Sequence, residues 1–398
     1  MIHLYILLFV VAVVSFFGIL EYVLHIKSLN RIPNRIHVNG TRGKSSVTRL
    51  IASALRAGGI VTCAKTTGTL PRMIFPDGRE YPVFRNTRAN IIEQIRIMRT
   101  ASSAGANVLV IECMALQPLL QKLSEEKLVR ATHSVVTNVR ADHLDVMGPT
   151  EADIARAFCA TVSTGGKFFT GEEKYLPTFQ KACEAKNSTV HAVSKEELAS
   201  VSDDDMAGFA YLEHKENVAL ALKVCADFGV DKQTALKGMW SAKPDPGVLV
   251  AYKIAFFGRD FYFVNAFAAN DPDSTERIWN MVINRYEDYT ERIAIFNCRV
   301  DRADRSRQLA EAYVTWKKAD HIILMGTGTF VFAREAVKRG VDSMKISFVE
   351  GKTCEQIFEA IIDKINGKAV IMGMGNIGGQ GLELVQYFKN RSIVKEAV

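Results

Sequence analysis

A short glycine loop between an apolar run and a run with helical spacing is the part of this sequence best suited to chemistry. Residues 36–46 read IHVNGTRGKSS. Glycines let backbone N–H groups close around phosphate oxygens, Lys44 can reach the terminal phosphates of a nucleotide, and the Ser45 hydroxyl can bind magnesium. The usual phosphate loop has a glycine where Val38 stands here, so this loop is a shortened variant, and a mere tight turn is the alternative. The pattern predicts an ATP-phosphate site formed by Gly40, Thr41, Arg42, Gly43, Lys44, Ser45 and Ser46.

Two later strand ends carry groups that could hold the metal of a nucleotide phosphate. The apolar run 108–111 ends in Glu112, and the run 135–139 leads into Asp142 and His143. The carboxyl ends of parallel strands share one edge of a sheet, where the glycine loop would also lie. Taken alone, Glu112 could cap a helix and His143 could be a hydrogen-bonded core histidine. Their shared edge favours a Mg²⁺ site at Ser45, Glu112 and His143, with Lys44, Glu112 and His143 as catalytic residues.

Strands and helices must alternate to position these side chains, which predicts an α/β fold with mostly parallel sheets. The predicted strands are continuous apolar runs, at residues 36–39, 108–111, 135–139, 261–264, 293–296, 322–325 and 369–372. The stretch 243–247 reads KPDPG and separates a helical segment from a new series of strands. We therefore expect an ATP-binding domain at 36–245 and a smaller Rossmann-like domain at 246–398.

The N-terminus has the composition of a membrane helix. Residues 4–20 are apolar apart from Ser15, and the first charge is Glu21. This predicts a single transmembrane anchor at 1–26 and a basic linker at 27–35, with a cleaved signal peptide or a buried core helix as alternatives. Lys27, Arg31 and Arg35 follow the apolar run, so the positive-inside rule places the rest of the chain on the cytoplasmic side of the inner membrane.

The composition adds two constraints. The net charge of +7 comes from 50 Lys and Arg against 43 acids, and the basic residues are scattered without interleaved aromatics, which argues against nucleic acid as a partner. The seven cysteines include no C-x-x-C pair, so we expect reduced thiols of a cytosolic domain instead of a disulfide framework.

Several motifs, taken together and in order, resemble the Mur ligase superfamily. They are GTRGKS at 40–45, Glu112 at a strand end, NVRADHLD at 138–145 and ENVALA at 216–221. Two later segments, ANDP at 269–272 and NCRVDR at 297–302, are similar to motifs of the family's C-terminal domain. The resemblance covers residues 36–398. It implies that Asn217 contacts the nucleotide or bridges to the metal, and that Asp271, Arg299, Asp301 and Arg302 close over the triphosphate.

Within that superfamily the sequence is most similar to the membrane-anchored poly-γ-glutamate synthases of capsule biosynthesis. The segments that carry this likeness are GTRGKSSVT at 40–48, AKTTGT at 64–69, ECMA at 112–115, DHLDVMGP at 142–149, PDPG at 244–247 and NAFAANDPDS at 265–274. The resemblance implies ATP-dependent amide ligation of glutamate onto growing poly-γ-glutamate through an acyl phosphate, with Mg²⁺ as cofactor. It also implies small integral membrane subunits as partners, and it is compatible with a homo-oligomer.

One departure and three alternatives remain. Mur ligases commonly carry a carbamylated lysine about fifteen residues after the DHLD motif, where this chain has Arg156, so a second metal must be held differently or Arg156 must supply charge directly. The alternatives are a membrane-tethered ATPase or kinase of a polymer-export complex, a non-catalytic scaffold and a folylpolyglutamate-synthase-like ligase. The GMGNIG run at 373–378 matches a dinucleotide fingerprint, but too little chain follows it, so we interpret it as a strand-to-helix turn.

Overall fold

The computed structural model describes residues 2–68, 70–85, 89–209, 211, 213–243, 249–267 and 271–397. The chain forms two compact units, and the change from one to the other along the chain falls between Lys243 and Pro244. The predicted boundary segment PDPG at 244–247 lies outside the described residues. The two units are described separately below.

The N-terminal unit begins with helix α1, Ile2–Arg31, which is long and apolar enough to cross a membrane and whose most apolar stretch is not buried. This fits a single-pass anchor. Further helices are α2 Lys44–Ala57, α3 Glu93–Ser103, α4 Pro118–Leu123, α5 Leu144–Met147, α6 Glu151–Phe158, α7 Leu176–Ala185, α8 Lys195–Ala199, α9 Asp203–Ala207, α10 Lys215–Asp227 and α11 Lys232–Trp240. A π-helix, Ser124–Val129, continues α4 directly.

An eight-stranded sheet forms the centre of this unit, in the order β4-β3-β2-β5-β1-β6-β7-β8. Its strands are β1 Asn34–Asn39, β2 Thr62–Lys65, β3 Arg72–Ile74, β4 Glu80–Pro82, β5 Val108–Glu112, β6 His133–Val136, β7 Lys167–Thr170 and β8 Thr189–Ala192. β1 lies between β5 and β6. The six strands β2-β5-β1-β6-β7-β8 pair in parallel, whereas β3 and β4 extend the sheet beyond β2 as antiparallel strands. The loop after β1 therefore emerges at the centre of the sheet's carboxyl edge, flanked by the loops after β5 and β6.

The C-terminal unit has a seven-stranded sheet in the order β13-β12-β11-β14-β10-β9-β15, with buried apolar clusters formed by its strands and helices. Its strands are β9 Val250–Phe256, β10 Arg259–Asn265, β11 Glu291–Cys298, β12 His321–Gly326, β13 Ile346–Phe348, β14 Lys368–Gly375 and β15 Val394–Ala397. Its helices are α12 Pro272–Arg285, α13 Ala303–Tyr313, α14 Phe330–Lys338, α15 Cys354–Ile362 and α16 Gln380–Arg391. The five strands β13-β12-β11-β14-β10 pair in parallel. β9 pairs in antiparallel with β10 on one side and with β15 on the other.

These observations confirm the predicted α/β fold with mostly parallel sheets, and they correct two details. The predicted linker at 27–35 is structured, because α1 continues to Arg31 and β1 begins at Asn34. The strand predicted at 135–139 ends at Val136, because the backbone that follows bonds to the glycine loop instead of a neighbouring strand. The glycine run at 373–378 is the end of β14 and the turn into α16, as expected.

Candidate active site

The glycine loop has a backbone shape that requires glycine at two positions. Gly40 has φ 132°, and a Cβ there would lie 2.0 Å from Thr137 Oγ1. Gly43 has φ 78° and precedes α2, and a Cβ there would lie 2.6 Å from Asn217 Oδ1. Both backbone angles lie in the region that glycine occupies without steric cost. The loop therefore passes close to two other segments, which fix its position.

The segment after β6 braces the loop through hydrogen bonds. The Thr41 N–H donates to Asn138 O at 2.9 Å, the Arg42 N–H donates to Asn138 Oδ1 at 3.1 Å, and Thr137 Oγ1 donates to Arg42 O at 2.6 Å. The Gly40 N–H donates to the side chain of Asn39. Because these first loop amides are engaged, a phosphate would bind to the amides at the start of α2, residues 43–46, which have no intrahelical acceptor.

Lys44 lies across its own loop. Its half-buried ammonium donates to Gly40 O at 2.6 Å and to Thr41 O at 3.2 Å. Burial lowers the pKa of Lys44, and the nearby Glu112 carboxylate opposes that shift. A phosphate group offers the ammonium a charged acceptor in place of two carbonyl oxygens, so the loop is suited to binding an anion.

Ser45 and Glu112 are in direct contact. Ser45 Oγ donates to Glu112 Oε2 at 2.8 Å, and the backbone N–H of Thr67 donates to the same oxygen at 2.6 Å. Glu112 is 3% exposed. A hydroxyl and a carboxylate beside the start of α2 are hard oxygen donors of the kind that Mg²⁺ prefers, with phosphate oxygens and water completing its shell. Among the described residues no three His, Cys, Asp or Glu side chains form a metal-binding group, so a magnesium site would depend on the phosphates.

His143 is linked to the glycine loop through Asp142. Its Nε2 lies 3.9 Å from Asp142 Oδ2, and that oxygen lies 3.5 Å from Arg42 Nη2. The backbone of His143 is left-handed, with φ 51°, and its N–H donates to Asp142 Oδ1 at 3.0 Å. Such a conformation is unfavourable for a non-glycine residue and is found mostly where function or packing imposes it. The role of His143 as a metal ligand stays a prediction.

Asn217 lies against the glycine loop, as its close approach to Gly43 shows. It is buried at the start of α10, and its Nδ2 donates to Glu213 Oε1 at 2.8 Å. Burial raises the pKa of Glu213, although the hydrogen bond from Asn217 opposes that shift. The Glu213 carboxyl therefore orients the Asn217 amide beside the glycine loop.

A buried ion-pair group lies one strand away from Glu112. Lys65 at the end of β2 is fully buried, and its Nζ lies 2.8 Å from Glu93 Oε1. Arg85 contacts the other oxygen of Glu93 at 2.6 Å. Burial lowers the pKa of Lys65, and Glu93 opposes that shift. Lys65 belongs to the segment AKTTGT at 64–69, of which Thr69 lies outside the described residues.

The predicted residues of the C-terminal unit lie beyond the carboxyl ends of β10 and β11. Asp271 is the N-cap of α12 and accepts from the Ser274 N–H at 2.8 Å, and residues 269 and 270 of the same motif lie outside the described residues. Arg299 and Asp301 form a two-pronged ion pair at 3.0 and 2.6 Å, and the Arg302 N–H donates to Arg299 O. Their contact with a nucleotide stays a prediction.

Arg156 does not show the features expected of a replacement for the missing lysine. Its guanidinium is largely exposed and contacts Asp153, one turn earlier in α6. An exposed pair of this kind contributes little binding energy. Arg156 therefore does not explain how a second metal would be held.

Sequence reasoning overlooked three partners of the site, Thr67, Asn138 and Glu213. Thr67 acts through its backbone, so its side chain gave no signal. Asn138 is the first residue of the motif at 138–145, and Glu213 lies three residues before the motif at 216–221. Polar residues within or close to a motif could have been added on that ground alone.

Two family models match the chain. The Mur ligase middle domain matches residues 38–242, and the poly-γ-glutamate synthase CapB C-terminal domain matches residues 251–391. These matches cover most of both structural units.

Two similar proteins match almost the whole chain, and a third matches 73% of it. The capsule biosynthesis protein CapB of Bacillus anthracis is 37% identical over 96% of this chain and 82% of its own length. The PGA synthase CapB of Bacillus subtilis (strain 168) is 36% identical over 96% of this chain and 97% of its own length. A UDP-N-acetylmuramoyl-L-alanyl-D-glutamate–2,6-diaminopimelate ligase of Vibrio vulnificus is 25% identical over 73% of this chain and 60% of its own length.

Solved structures share the fold at low sequence identity. E. coli FolC in complex with ADP superposes with a TM-score of 0.66 at 15% identity, covering 93% of both chains. Mycobacterium tuberculosis folylpolyglutamate synthase with ADP and AMPPCP gives 0.65 at 14% identity, covering 92% of this chain and 94% of that one. The chain belongs to the poly-γ-glutamate synthase CapB family within the Mur ligases, and it is an ATP-dependent, amide-forming ligase.

Proposed function

We propose that this protein forms γ-glutamyl amide bonds in poly-γ-glutamate synthesis, using ATP to activate a glutamate carboxylate as an acyl phosphate. The observation that carries the proposal is the contact of Ser45 with Glu112 at the start of α2, beside Lys44 and the braced glycine loop. The names of the Bacillus relatives support the choice of product.

The reaction would proceed in two displacements. A carboxylate oxygen of the acceptor glutamate attacks the γ-phosphorus, and the bond from that phosphorus to the bridging oxygen of ADP breaks. The amine of the incoming glutamate then attacks the acyl carbon, and inorganic phosphate leaves as the amide forms and the amine loses a proton. Both steps develop negative charge on phosphoryl or acyl oxygens, so a binding site rich in fixed donors accelerates them.

The residues of this chain would bind and orient the triphosphate. The amides of residues 43–46 would hold the phosphate oxygens, and Lys44 would turn from its loop carbonyls to the terminal phosphates. Magnesium, when bound at Ser45, Glu112 and His143, would screen the charge of the phosphates. Asn217 would contact the nucleotide from α10, and Asp271, Arg299, Asp301 and Arg302 would approach it from the C-terminal unit.

The protein would work at the cytoplasmic face of the inner membrane, anchored by α1. The basic residues that follow the apolar stretch, Lys27, Arg31 and Arg35, support that orientation. Small integral membrane subunits of a synthesis and export complex would be its partners, with glutamate and the growing polymer as substrates.

Hydroxylamine trapping tests the acyl phosphate. Membranes that hold this protein, with glutamate, ATP and any required partner subunits, should yield a glutamyl hydroxamate together with ADP and phosphate. Lys44→Ala should abolish all three products, whereas Lys181→Ala, at an exposed position on α7, should leave them unchanged. ATP turnover without a hydroxamate would count against the acyl phosphate, and a stable phosphorylated product would indicate a kinase.

A folylpolyglutamate-synthase-like activity is the second candidate, because the structural matches include enzymes of that name. The same membranes should be given folate with labelled glutamate. Label recovered in folate conjugates, with none in free polyglutamate, would favour that activity over the proposed one.

A further inference from the structure

The end of the membrane helix is built into the folded N-terminal unit. Leu29 and Ile32 are buried in an apolar cluster with residues of α3, β2 and β5. Arg35 caps the helix, donating from Nη1 to Leu29 O and Ile32 O and from Nε to Val129 O and Arg130 O. α1 is therefore coupled rigidly to the π-helix and is not a flexible tether, so its depth in a bilayer fixes the depth of its neighbours.

The apolar run sets that depth. A hydrocarbon core of about 30 Å takes roughly 20 helical residues, so a span that starts at Leu4 ends near Val23. Arg99 of α3 lies 3.6 Å from Glu21. His25 is buried beside the backbone of Lys127, and Arg130 and Arg99 are close enough for their charges to act on it. These parts of α3 and the π-helix consequently lie at the level of the lipid headgroups.

The groups at this level are predominantly cationic. Lys27, Lys127 and Arg130 are exposed, and Arg99 is half-exposed. Of the acids on the same segments, Glu21 pairs with Arg99, and Glu126 lies 4.0 Å from Lys122. Glu93 and Glu125 form ion pairs with the buried Lys65 and His37. The surface that faces the headgroups thus has an excess of positive charge.

Arg130 has a backbone conformation that is unfavourable for an arginine. It has φ 47°, in the left-handed region, at the end of a π-helix. Glycine would occupy this position without strain, whereas a residue with a side chain is strained there. π-Helical turns and strained residues are both more frequent at functional positions than elsewhere. A role for the arginine's charge would explain its presence.

We infer that Lys27, Lys127 and Arg130 form a headgroup-binding surface that attracts anionic phospholipids and holds the N-terminal unit against the membrane. The inference rests on the membrane-anchored role proposed above. Each basic residue near an anionic surface contributes attraction that falls off within a Debye length, so the effect should be sensitive to salt. The positive charge of this surface and its depth in the membrane indicate an anionic lipid as the binding partner. A membrane protein is the competing occupant.

The test uses the full chain in lipid nanodiscs, either of phosphatidylcholine alone or with added phosphatidylglycerol. Amide hydrogen exchange is followed across residues 93–103 and 118–131. In wild type, phosphatidylglycerol should slow exchange at the π-helix on the order of tenfold, and high salt should reverse the slowing. In Lys127→Gln/Arg130→Gly the lipid dependence should disappear, since two lost charges weaken the attraction by roughly 30-fold.

The double variant should still fold, because glycine relieves the backbone strain at residue 130. Lys181→Gln/Lys237→Gln removes the same charge from exposed positions elsewhere on the unit and should retain the lipid dependence. Equal exchange of wild type in both kinds of disc would overturn the inference, and so would protection that appears only when an integral membrane protein is added. Glutamate ligation measured in the same discs tests the proposed function separately, because ligation does not depend on whether phosphatidylglycerol slows amide hydrogen exchange.

Discussion

At the scale of single residues, Gly43 combines an unusual backbone conformation with a close approach to another segment of the chain. Its φ of 78° lies in the left-handed region, and the absence of a side chain lets Asn217 approach the loop. A larger residue would have to displace either the loop or α10. The tolerance of this position to substitution is therefore a test of the phosphate site.

Gly43→Ala should reduce ATP binding by at least tenfold, because the new Cβ would lie 2.6 Å from Asn217 Oδ1. Gly59→Ala is the matched control, since Gly59 has a similar φ of 77° and open space around it. Both variants should lose about 1 kcal/mol of unfolding free energy from backbone strain. Binding of a fluorescent ATP analogue checks the difference, and equal affinities for the two variants would contradict the assigned site.

Ser45→Ala should raise the magnesium concentration needed for half-maximal ATP turnover by about tenfold, because it would remove one of the two oxygen ligands proposed from the protein. Glu112 would keep its hydrogen bond from the Thr67 N–H, so the local fold should persist. Ser46→Ala is the control, because residue 46 is expected to act through its amide alone. A magnesium titration that is the same for both variants would remove Ser45 from the metal site.

Most side chains of the candidate site could be named from the sequence, whereas the contacts between them could not. Glycines before a Gly-Lys-Ser sequence and an acid at a strand end are recognisable from residue type and spacing. The hydrogen bond from the Thr67 backbone to Glu112 depends on how the loop after β2 folds over β5, which no local pattern encodes. The same holds for Glu213, whose contact with Asn217 was not identified.

At the scale of elements, the π-helix and strand β1 are joined beneath the glycine loop by a buried pair. His37 Nδ1 lies 2.7 Å from Glu125 Oε2, and both side chains are almost fully buried. Burial alone would lower the pKa of His37, but the Cys113 thiol and the Glu125 carboxylate raise it to about 10. A histidine with a raised pKa stabilises the fold fully below its unfolded value of about 6.5, and that stabilisation is lost as the pH rises through the folded value.

Glu125→Gln should therefore lower the unfolding free energy by about 3 kcal/mol at pH 6, because it leaves a buried charge without its partner. The difference from wild type should shrink as the pH approaches 10, where His37 becomes neutral in the wild type as well. Glu126→Gln, at the next residue of the π-helix, should change stability by less than about 0.5 kcal/mol. Denaturant unfolding across this pH range is the measurement, and a pH-independent difference would contradict the ion pair.

The central strands were predictable as continuous apolar runs, but the edges of the sheets were not. β3, β4 and β13 have three residues each, too short for a periodic pattern to be recognised. β6 ends before the apolar run in the sequence ends, because Thr137 and Asn138 form hydrogen bonds with Arg42 of the glycine loop. Short strands and competing loop contacts both depend on tertiary structure, which a single sequence does not display.

At the scale of the whole molecule, the membrane helix and the N-terminal unit behave as one folded body. The sequence predicted the apolar span correctly as a helix, but it suggested a linker where α1 in fact continues into the core. On sequence grounds Arg35 was assigned to a basic linker, whereas in the structure Arg35 caps the helix. Charged residues can serve either purpose, and only their hydrogen-bond partners distinguish the two.

Leu29→Ala should destabilise the N-terminal unit by about 3 kcal/mol, because it removes a buried side chain from the apolar cluster. Leu24→Ala, five residues earlier on the same helix, should have little effect, since Leu24 is 42% exposed in the protein and would face lipid. Thermal unfolding of both variants in detergent gives the comparison. Equal melting temperatures would mean that α1 is a separate tether.

Transfer of an oxygen atom tests the central claim most directly. Glutamate labelled with ¹⁸O in its γ-carboxylate is supplied with ATP, and the phosphate released during polymer synthesis is analysed by mass spectrometry. Activation as an acyl phosphate predicts one labelled oxygen in each phosphate released per amide bond formed. Unlabelled phosphate accompanied by polymer growth would contradict the account, because the carboxylate would then never have been bonded to phosphorus.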